Sequence, residues 1–210
     1  GYTLMRGLPM DFPEDVKVRN ISDSFMFGPA FLVHPVTRAM YRMDKPPAPT
    51  LPTEYLRTPD DQPGLAVQYF AGVNFNTPKE KGVDKVVDHD WPGPPLTTPP
   101  GGLDGVNNFS ARWEGYLIAP EDGEYEIGVE GDDGFRLYLD GRKAVEDWTE
   151  GAARYRSTNV TLTKGQHVPL KLEFFQAGGE RVIRLGGRTP TDIRNLASGK
   201  SELNNTMLTY

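Results

Sequence analysis

The chain has 210 residues, 37% of them hydrophobic, enough for one medium domain plus appended structure and for a sandwich that buries one face of each strand. Its net charge of −6, with no stripe of Lys or Arg, lacks the clustered cations that phosphate-backbone binding needs, so no nucleic-acid partner is expected. The absence of Cys removes disulfides and thiolate metal sites, and no apolar stretch is long enough to span a bilayer, so no membrane partner is expected.

Residues 1–43 contain the apolar run PAFLVHPV, which reads as a strand buried on both faces, as in parallel sheets and barrels. One such strand cannot close a sheet, so this part is expected to be a piece of something larger. Residues 44–64 follow, with Pro46, Pro47, Pro49 and Pro52 close together, and read as an extended, semi-rigid connector.

From residue 65 to 188 the chain is β-rich. Strands are expected at Ala66–Phe70, Ala111–Ile118, Glu124–Glu130, Phe135–Asp140, Arg142–Asp147, Tyr155–Leu162, His167–Gln176 and Val182–Gly186. Turn chemistry at Glu121-Asp122-Gly123, Asp140-Gly141, Lys164-Gly165 and Gly178-Gly179 separates several of them. Tyr125, Ile127 and Val129 alternate with Glu124, Glu126 and Glu130, and Phe135, Leu137 and Leu139 alternate with Arg136, Tyr138 and Asp140. Each strand thus has one apolar and one wet face, as an antiparallel sheet requires. Many short strands at regular spacing predict an antiparallel sandwich or barrel. Residues 189–210 form a return segment with one short helix, capped by Thr189, with Pro190 in its first turn and Gly199 as its stop.

Three successive strand patterns across residues 109–140 are punctuated by Asp132-Asp133-Gly134. Adjacent carboxylates on a tight loop favour solvent or a hard cation such as calcium, to which a sugar's vicinal hydroxyls can add ligands. The competing reading is a turn signature whose carboxylates cap backbone amides. Trp91 and Trp148, in loops, and Tyr138, facing away from the apolar strand face, are the aromatics that could stack on a sugar ring. Packing is the favoured reading for both tryptophans, and Trp113 within its strand is core. His34, His89 and His167 lack zinc-ligand spacing; His89 in Asp88-His89-Asp90 could join a surface metal site, but a solvated polar loop is the favoured reading.

Tyr69-Phe70, Trp91-Pro92-Gly93-Pro94-Pro95, Trp113-Glu114-Gly115, Gly123, Tyr125, Asp132-Asp133-Gly134, Asp140-Gly141 and Trp148 come in an order that resembles the protective-antigen-type (PA-fourteen) domain. That resemblance implies a β-sandwich attached to glycosidases, adhesins and toxins, with carbohydrate binding in several branches. In the fungal adhesin branch the equivalent aspartate pair, joined by a cis peptide, holds calcium with ligands from a second loop, which is not located here. The residues Met5-Arg6-Gly7-Leu8-Pro9-Met10-Asp11-Phe12-Pro13, Asp23-Ser24-Phe25-Met26-Phe27-Gly28-Pro29 and Leu32-Val33-His34-Pro35-Val36 resemble the end of the catalytic barrel of family 31 glycoside hydrolases.

Together these resemblances imply a mainly β chain. An antiparallel PA-fourteen-like sandwich is flanked by a short remnant of a (β/α)8 barrel, near its eighth strand, and cut from a larger retaining α-glycosidase. An α-xylosidase acting on xyloglucan oligosaccharides is expected, with an α-glucosidase as the close alternative, the sandwich as an insert that assists carbohydrate binding and the rest of the glycosidase as its partner. The alternatives are a self-sufficient calcium-dependent lectin-like module and a purely structural sandwich. The catalytic carboxylates belong to earlier barrel strands, and Asp11, Glu14 and Asp15 match a loop that carries neither role, so the chain alone is expected to be inert. No cofactor is required, calcium at Asp132 and Asp133 is the one candidate, and the resemblance implies a periplasmic or extracellular bacterial setting.

Overall fold

Period-two alternation predicts strands with one buried face, and the computed structural model builds its sheets on those faces. It describes residues 5–15, 24–28, 31–33, 47–91 and 99–198, and the chain falls into two units that divide between Pro46 and Pro47.

The first unit has strands β1 (Met5–Gly7), β2 (Phe25–Phe27) and β3 (Phe31–Val33), with a single helical turn α1 (Leu8–Asp11) after β1. The strands are antiparallel in the order β1-β2-β3. Arg6 stitches the unit by donating to the Asp11 carboxylate at 2.9 Å and to the Gly28 carbonyl at 3.1 Å. This corrects the expectation of a doubly buried parallel strand: β3 is an antiparallel edge, and Phe31 and Leu32 are 69% and 52% exposed. The rest of PAFLVHPV lies outside the described residues.

The second unit contains β4 (Leu56–Arg57), β5 (Leu65–Ala71), β6 (Thr77–Asp84), β7 (Asp88–Asp90), β8 (Phe109–Ile118), β9 (Gly123–Asp132), β10 (Gly134–Leu139), β11 (Arg142–Asp147), β12 (Arg154–Leu162), β13 (His167–Gln176), β14 (Val182–Arg188) and helix α2 (Pro190–Ala197). Seven strands form one sheet in the order β11-β10-β13-β8-β5-β6, with β4 also paired to β8, and four form the other in the order β12-β9-β14-β7. Every described pairing is antiparallel. Trp113 and Leu172, paired across β8 and β13, meet Ile127, Val129, Ile183 and Leu185 in one apolar core. Among the described residues no helix is long and apolar enough to cross a membrane.

Three sequence expectations change. From Pro47 the Pro-rich stretch is part of the sandwich, not a free connector. Leu51 and Leu56 are in the core, Thr50 bridges Gly186, and the Gly187 amide donates to the Pro49 carbonyl at 2.9 Å. Proline is admissible there because the segment runs along a sheet margin, where a missing donor breaks no interior ladder. Burying Leu56 completely contributes roughly 1.5–3 kcal/mol that a solvated linker would forgo. β6 and β7 are additional strands. TPKEKGVD has one aliphatic residue, a Pro and a Gly, a composition tolerated because β6 lies at the sheet edge. Finally, Glu126 does not face water: Tyr155 and Arg188 cover it, and it is completely buried.

α2 starts as its sequence predicts: the Thr189 hydroxyl accepts from the Asp192 amide, and the Asp192 carboxylate accepts from the Thr189 amide, closing a capping box. Its C-cap is Ser198; Gly199, the predicted stop, lies outside the described residues.

Candidate functional site

The Asp132-Asp133-Gly134 step is where the chain leaves the four-stranded sheet and enters the seven-stranded one. Asp132 ends β9 opposite Val182, and Gly134 begins β10 opposite Phe175. The Asp132–Asp133 peptide is cis. The glycine is required by close packing: a Cβ at 134 would lie 2.1 Å from the Phe175 ring.

The two carboxylates have different roles. Asp133 Oδ1 accepts from the Gly151 amide at 2.8 Å, and Oδ2 accepts from the amides of Ala177 at 2.8 Å and Gly178 at 3.3 Å. Arg154 donates to the Asp133 carbonyl at 3.2 Å. Asp133 therefore ties the 148–153 and 177–181 loops to the corner, the amide-capping role. Asp132 is 4% exposed, and its Oδ1 has no hydrogen-bond partner among the described residues. Burial, then the charges of Asp133 and Glu180, push its carboxyl up to about 6 against the opposing pull of Arg154 and Arg181. Gln176 Oε1, at the end of β13, is a second buried acceptor without a partner, while its amide nitrogen donates to the Gly178 and Glu180 carbonyls at 2.8 Å.

These groups fit a calcium ion in part. Asp132 offers an unused oxygen, but the Asp133 oxygens are committed to amides. Among the described residues no group of three or more His, Asp or Glu is arranged around a common metal position. His34 lies outside the described residues. His89 Nε2 is 2.8 Å from Asp84 Oδ2, which also accepts from Trp113 Nε1 at 2.7 Å, so His89 belongs to a structural cluster. Asp11 is paired with Arg6 at 2.8 Å.

The aromatic candidates separate. Trp91 is 8% exposed, stacked on His89 with ring centroids 4.8 Å apart and edge-on to Phe109, so it is core and offers no platform. Trp148 is half-buried outside the core. The Arg136 guanidinium sits 4.0 Å from its ring centroid, with Phe175 at 4.8 Å and Phe75 at 6.1 Å. It follows β11 and shares the 147–154 turn with Gly151, so it lies at the same end as the aspartate corner. Tyr138 is four residues along β10 from Gly134, on the outer face of the seven-stranded sheet, with Lys171 Nζ 4.2 Å from its ring centroid. Asp132, Asp133 and Trp148 therefore share one end, and Tyr138 stands apart.

A buried carboxylate on that outer face was missed by the sequence reading. Glu173, 3% exposed, accepts from Arg112 at 2.9 Å and Arg136 at 2.6 Å, with Lys171 at 3.6 Å. Burial opposes its charge, but Arg136, Arg112 and Lys171 outweigh it and hold the carboxyl below its ordinary range. Arg112 and Arg136 occupy outward positions directly opposite Glu173 in register, a relationship visible only once the strand order β10-β13-β8 is known.

A two-sheet antiparallel sandwich, with paired aspartates where the chain changes sheets, defines a class of β-sandwich modules. Residues 61–197 match the PA14 domain, and the chain belongs to that family. Residues 1–58 match the glycosyl hydrolase family 31 C-terminal domain. The barrel end expected for residues 1–43 is not itself shown by this match. The anti-sigma-I factor RsgI3 of Acetivibrio thermocellus is 27% identical over 113 residues, 54% of this chain and 17% of that protein. An alpha-xylosidase of Saccharolobus solfataricus is 51% identical over 37 residues, 18% of this chain and 5% of that protein. Among solved structures, the GH31 alpha-xylosidase of Xanthomonas citri superposes with a TM-score of 0.55 at 19% identity, covering 64% of this chain and 15% of that one, a likeness of fold. The chain thus spans less than a fifth of either curated relative.

Proposed function

We propose that this chain is the carbohydrate-binding part of a family 31 α-glycosidase, an α-xylosidase acting on xyloglucan-type oligosaccharides. The sandwich is inserted into the host's C-terminal domain and lengthens the substrate platform. The observation that carries this reading is the stem. Arg188 donates to the Pro47 carbonyl at 2.9 Å across 141 residues, and the Gly187 amide donates to the Pro49 carbonyl. The segment that enters the sandwich, residues 47–50, lies against the end of its last strand, residues 186–188, as suits an inserted domain. The family 31 match on the N-terminal side and the 51% identity to an alpha-xylosidase support the host. On this reading the parent is a bacterial periplasmic or extracellular enzyme, and the bond-breaking residues lie in the partner domains.

The test is removal of residues 47–188 from the full enzyme. KM for xyloglucan oligosaccharides should rise several-fold more than KM for a small aryl xyloside. Equal changes for both substrates overturn the reading.

A second reading is favoured by one observation, the unpartnered Asp132 Oδ1 and Gln176 Oε1 at the corner. Two buried acceptors lacking donors suit a cation or a sugar hydroxyl, so a calcium-dependent lectin function would centre on Asp132, with Asp133 as its scaffold. Sugar affinity of this chain should then fall on chelation and with Asp132→Asn. Affinity unchanged by both excludes it.

A further inference from the structure

We propose that the outer face of the seven-stranded sheet is a glycan-binding groove, built around Glu114 with Tyr116, Tyr138 and Lys171 on one side and Arg112 and Gln68 on the other. The proposal rests on the carbohydrate-binding reading and locates the sugar away from the aspartate corner.

The sheet register generates the groove. Glu114 on β8 lies opposite Lys171 on β13, which lies opposite Tyr138 on β10. These three outward side chains form a row across neighbouring strands, spanning about 10 Å at the usual strand spacing. The adjacent row is Arg112, Glu173 and Arg136. In that second row the charges are closed on one another. In the first they are not: Lys171 turns to Glu173 and to the Tyr138 ring, leaving the Glu114 carboxylate exposed and open to a ligand.

Two clefts open on this face. One, of about 400 Å³, is lined by Tyr116, Tyr138, Lys171, Glu114 and Pro59. The other, of about 440 Å³, is lined by Arg112, Gln68, Phe70, Lys81, Asp60 and Glu114. Glu114 lines both, and the 58–62 loop contributes Pro59 to one and Thr58, Asp60 and Gln62 to the other. The two clefts therefore adjoin at Glu114. Each falls in the volume range of small-molecule sites.

The lining selects the ligand class. An exposed carboxylate accepts a pair of vicinal hydroxyls, phenol rings receive the C–H face of a pyranose, and phenol, ammonium and guanidinium groups supply donors to ring and glycosidic oxygens. Cations and carboxylates alternate along the groove, which suits a neutral polyhydroxylated chain. Its length calls for an oligosaccharide.

The experiment is calorimetric titration of this chain with a xyloglucan oligosaccharide and a cello-oligosaccharide, for the wild type, Glu114→Gln, Tyr116→Ala/Tyr138→Ala and Asp132→Asn. Thermal melts of each variant monitor folding. Glu114→Gln removes a charge-assisted acceptor without changing shape and should weaken binding about tenfold; the tyrosine pair should abolish it. If the tyrosine double variant does not fold, Glu114→Gln decides alone. Binding lost with Asp132→Asn but unchanged by Glu114→Gln overturns the groove and keeps carbohydrate binding at the corner. No binding by the wild type overturns the groove and the carbohydrate reading of the isolated sandwich together.

Discussion

Arg188 and Glu126 form a 2.6 Å ion pair in which both side chains have no solvent exposure. Tyr155 donates its hydroxyl to the same carboxylate at 3.2 Å, and another arm of Arg188 holds the Pro47 carbonyl. One buried guanidinium therefore fastens the start of the sandwich to its last strand. A buried ion gains little net stability from a partner but becomes very costly when that partner is removed. Glu126→Ala is expected to destabilise the chain by about 3–5 kcal/mol. The double change Glu126→Leu/Arg188→Met should be clearly milder, and urea melts of the three proteins check it.

Asp133→Ala leaves the amides of Gly151, Ala177 and Gly178 without their acceptor. Gly151 is exposed and Ala177 and Gly178 are only partly buried, so water replaces the acceptor in part, and a loss of about 1 kcal/mol is expected, with or without added calcium. Hydrogen exchange should quicken at residues 151, 177 and 178 ahead of the β8 and β13 amides.

Asp132 gives the pH dependence its sign. Its folded carboxyl is raised to about 6, above the ordinary carboxylate value. Below both values the group is protonated in both states and contributes no penalty. As pH rises from about 4 to 6 the unfolded chain ionises first, so stability falls, and above 6 the penalty is constant. The charged groups that set this balance are Asp133 and Glu180 against Arg154 and Arg181. Asp132→Asn should therefore raise Tm at pH 8 by an amount equivalent to roughly 1–3 kcal/mol and leave it nearly unchanged at pH 4. A Tm gain of equal size at both pH values would show that charge is not the cause.

The strands that carry the core were legible because alternation is local: Tyr125, Ile127 and Val129 announce β9, and Phe135, Leu137 and Leu139 announce β10. The edge strands β6 and β7 were not, although the edges β11 and β12 were. β6 is mostly polar, and residues 47–57 look like a linker until Leu51 and Leu56 are seen in the core. Alternation also misassigns Glu126, since the groups that bury it come from Tyr155 and Arg188, 29 and 62 residues away. At the site, the aspartate pair was visible as a motif, but the division of roles between Asp132 and Asp133 depends on amides supplied by the 148–153 and 177–181 loops. Trp91 and Trp148 illustrate the same limit: a loop position does not reveal that one ring is packed in the core and the other holds Arg136.

Glu173 is the counterpart of Asp132: equally buried, yet held in its charged form by Arg112 and Arg136. Its folded carboxyl lies below the ordinary range, so the stability it contributes is present above the unfolded value and is lost as pH falls through the folded one. Glu173→Gln removes the charge that holds two guanidinium groups on adjacent strands, leaving Arg112 over Phe75 and Arg136 over Trp148 to repel each other. A loss of about 3 kcal/mol is expected at neutral pH, at the lower end for a broken buried pair because both arginines are partly exposed. The loss should shrink as pH falls through the folded-state value, where Glu173 becomes protonated. Paired melts stepped downward from pH 7 read the difference directly, and a deficit that never shrinks would mean that packing, not the ion pairs, is what Glu173 supplies.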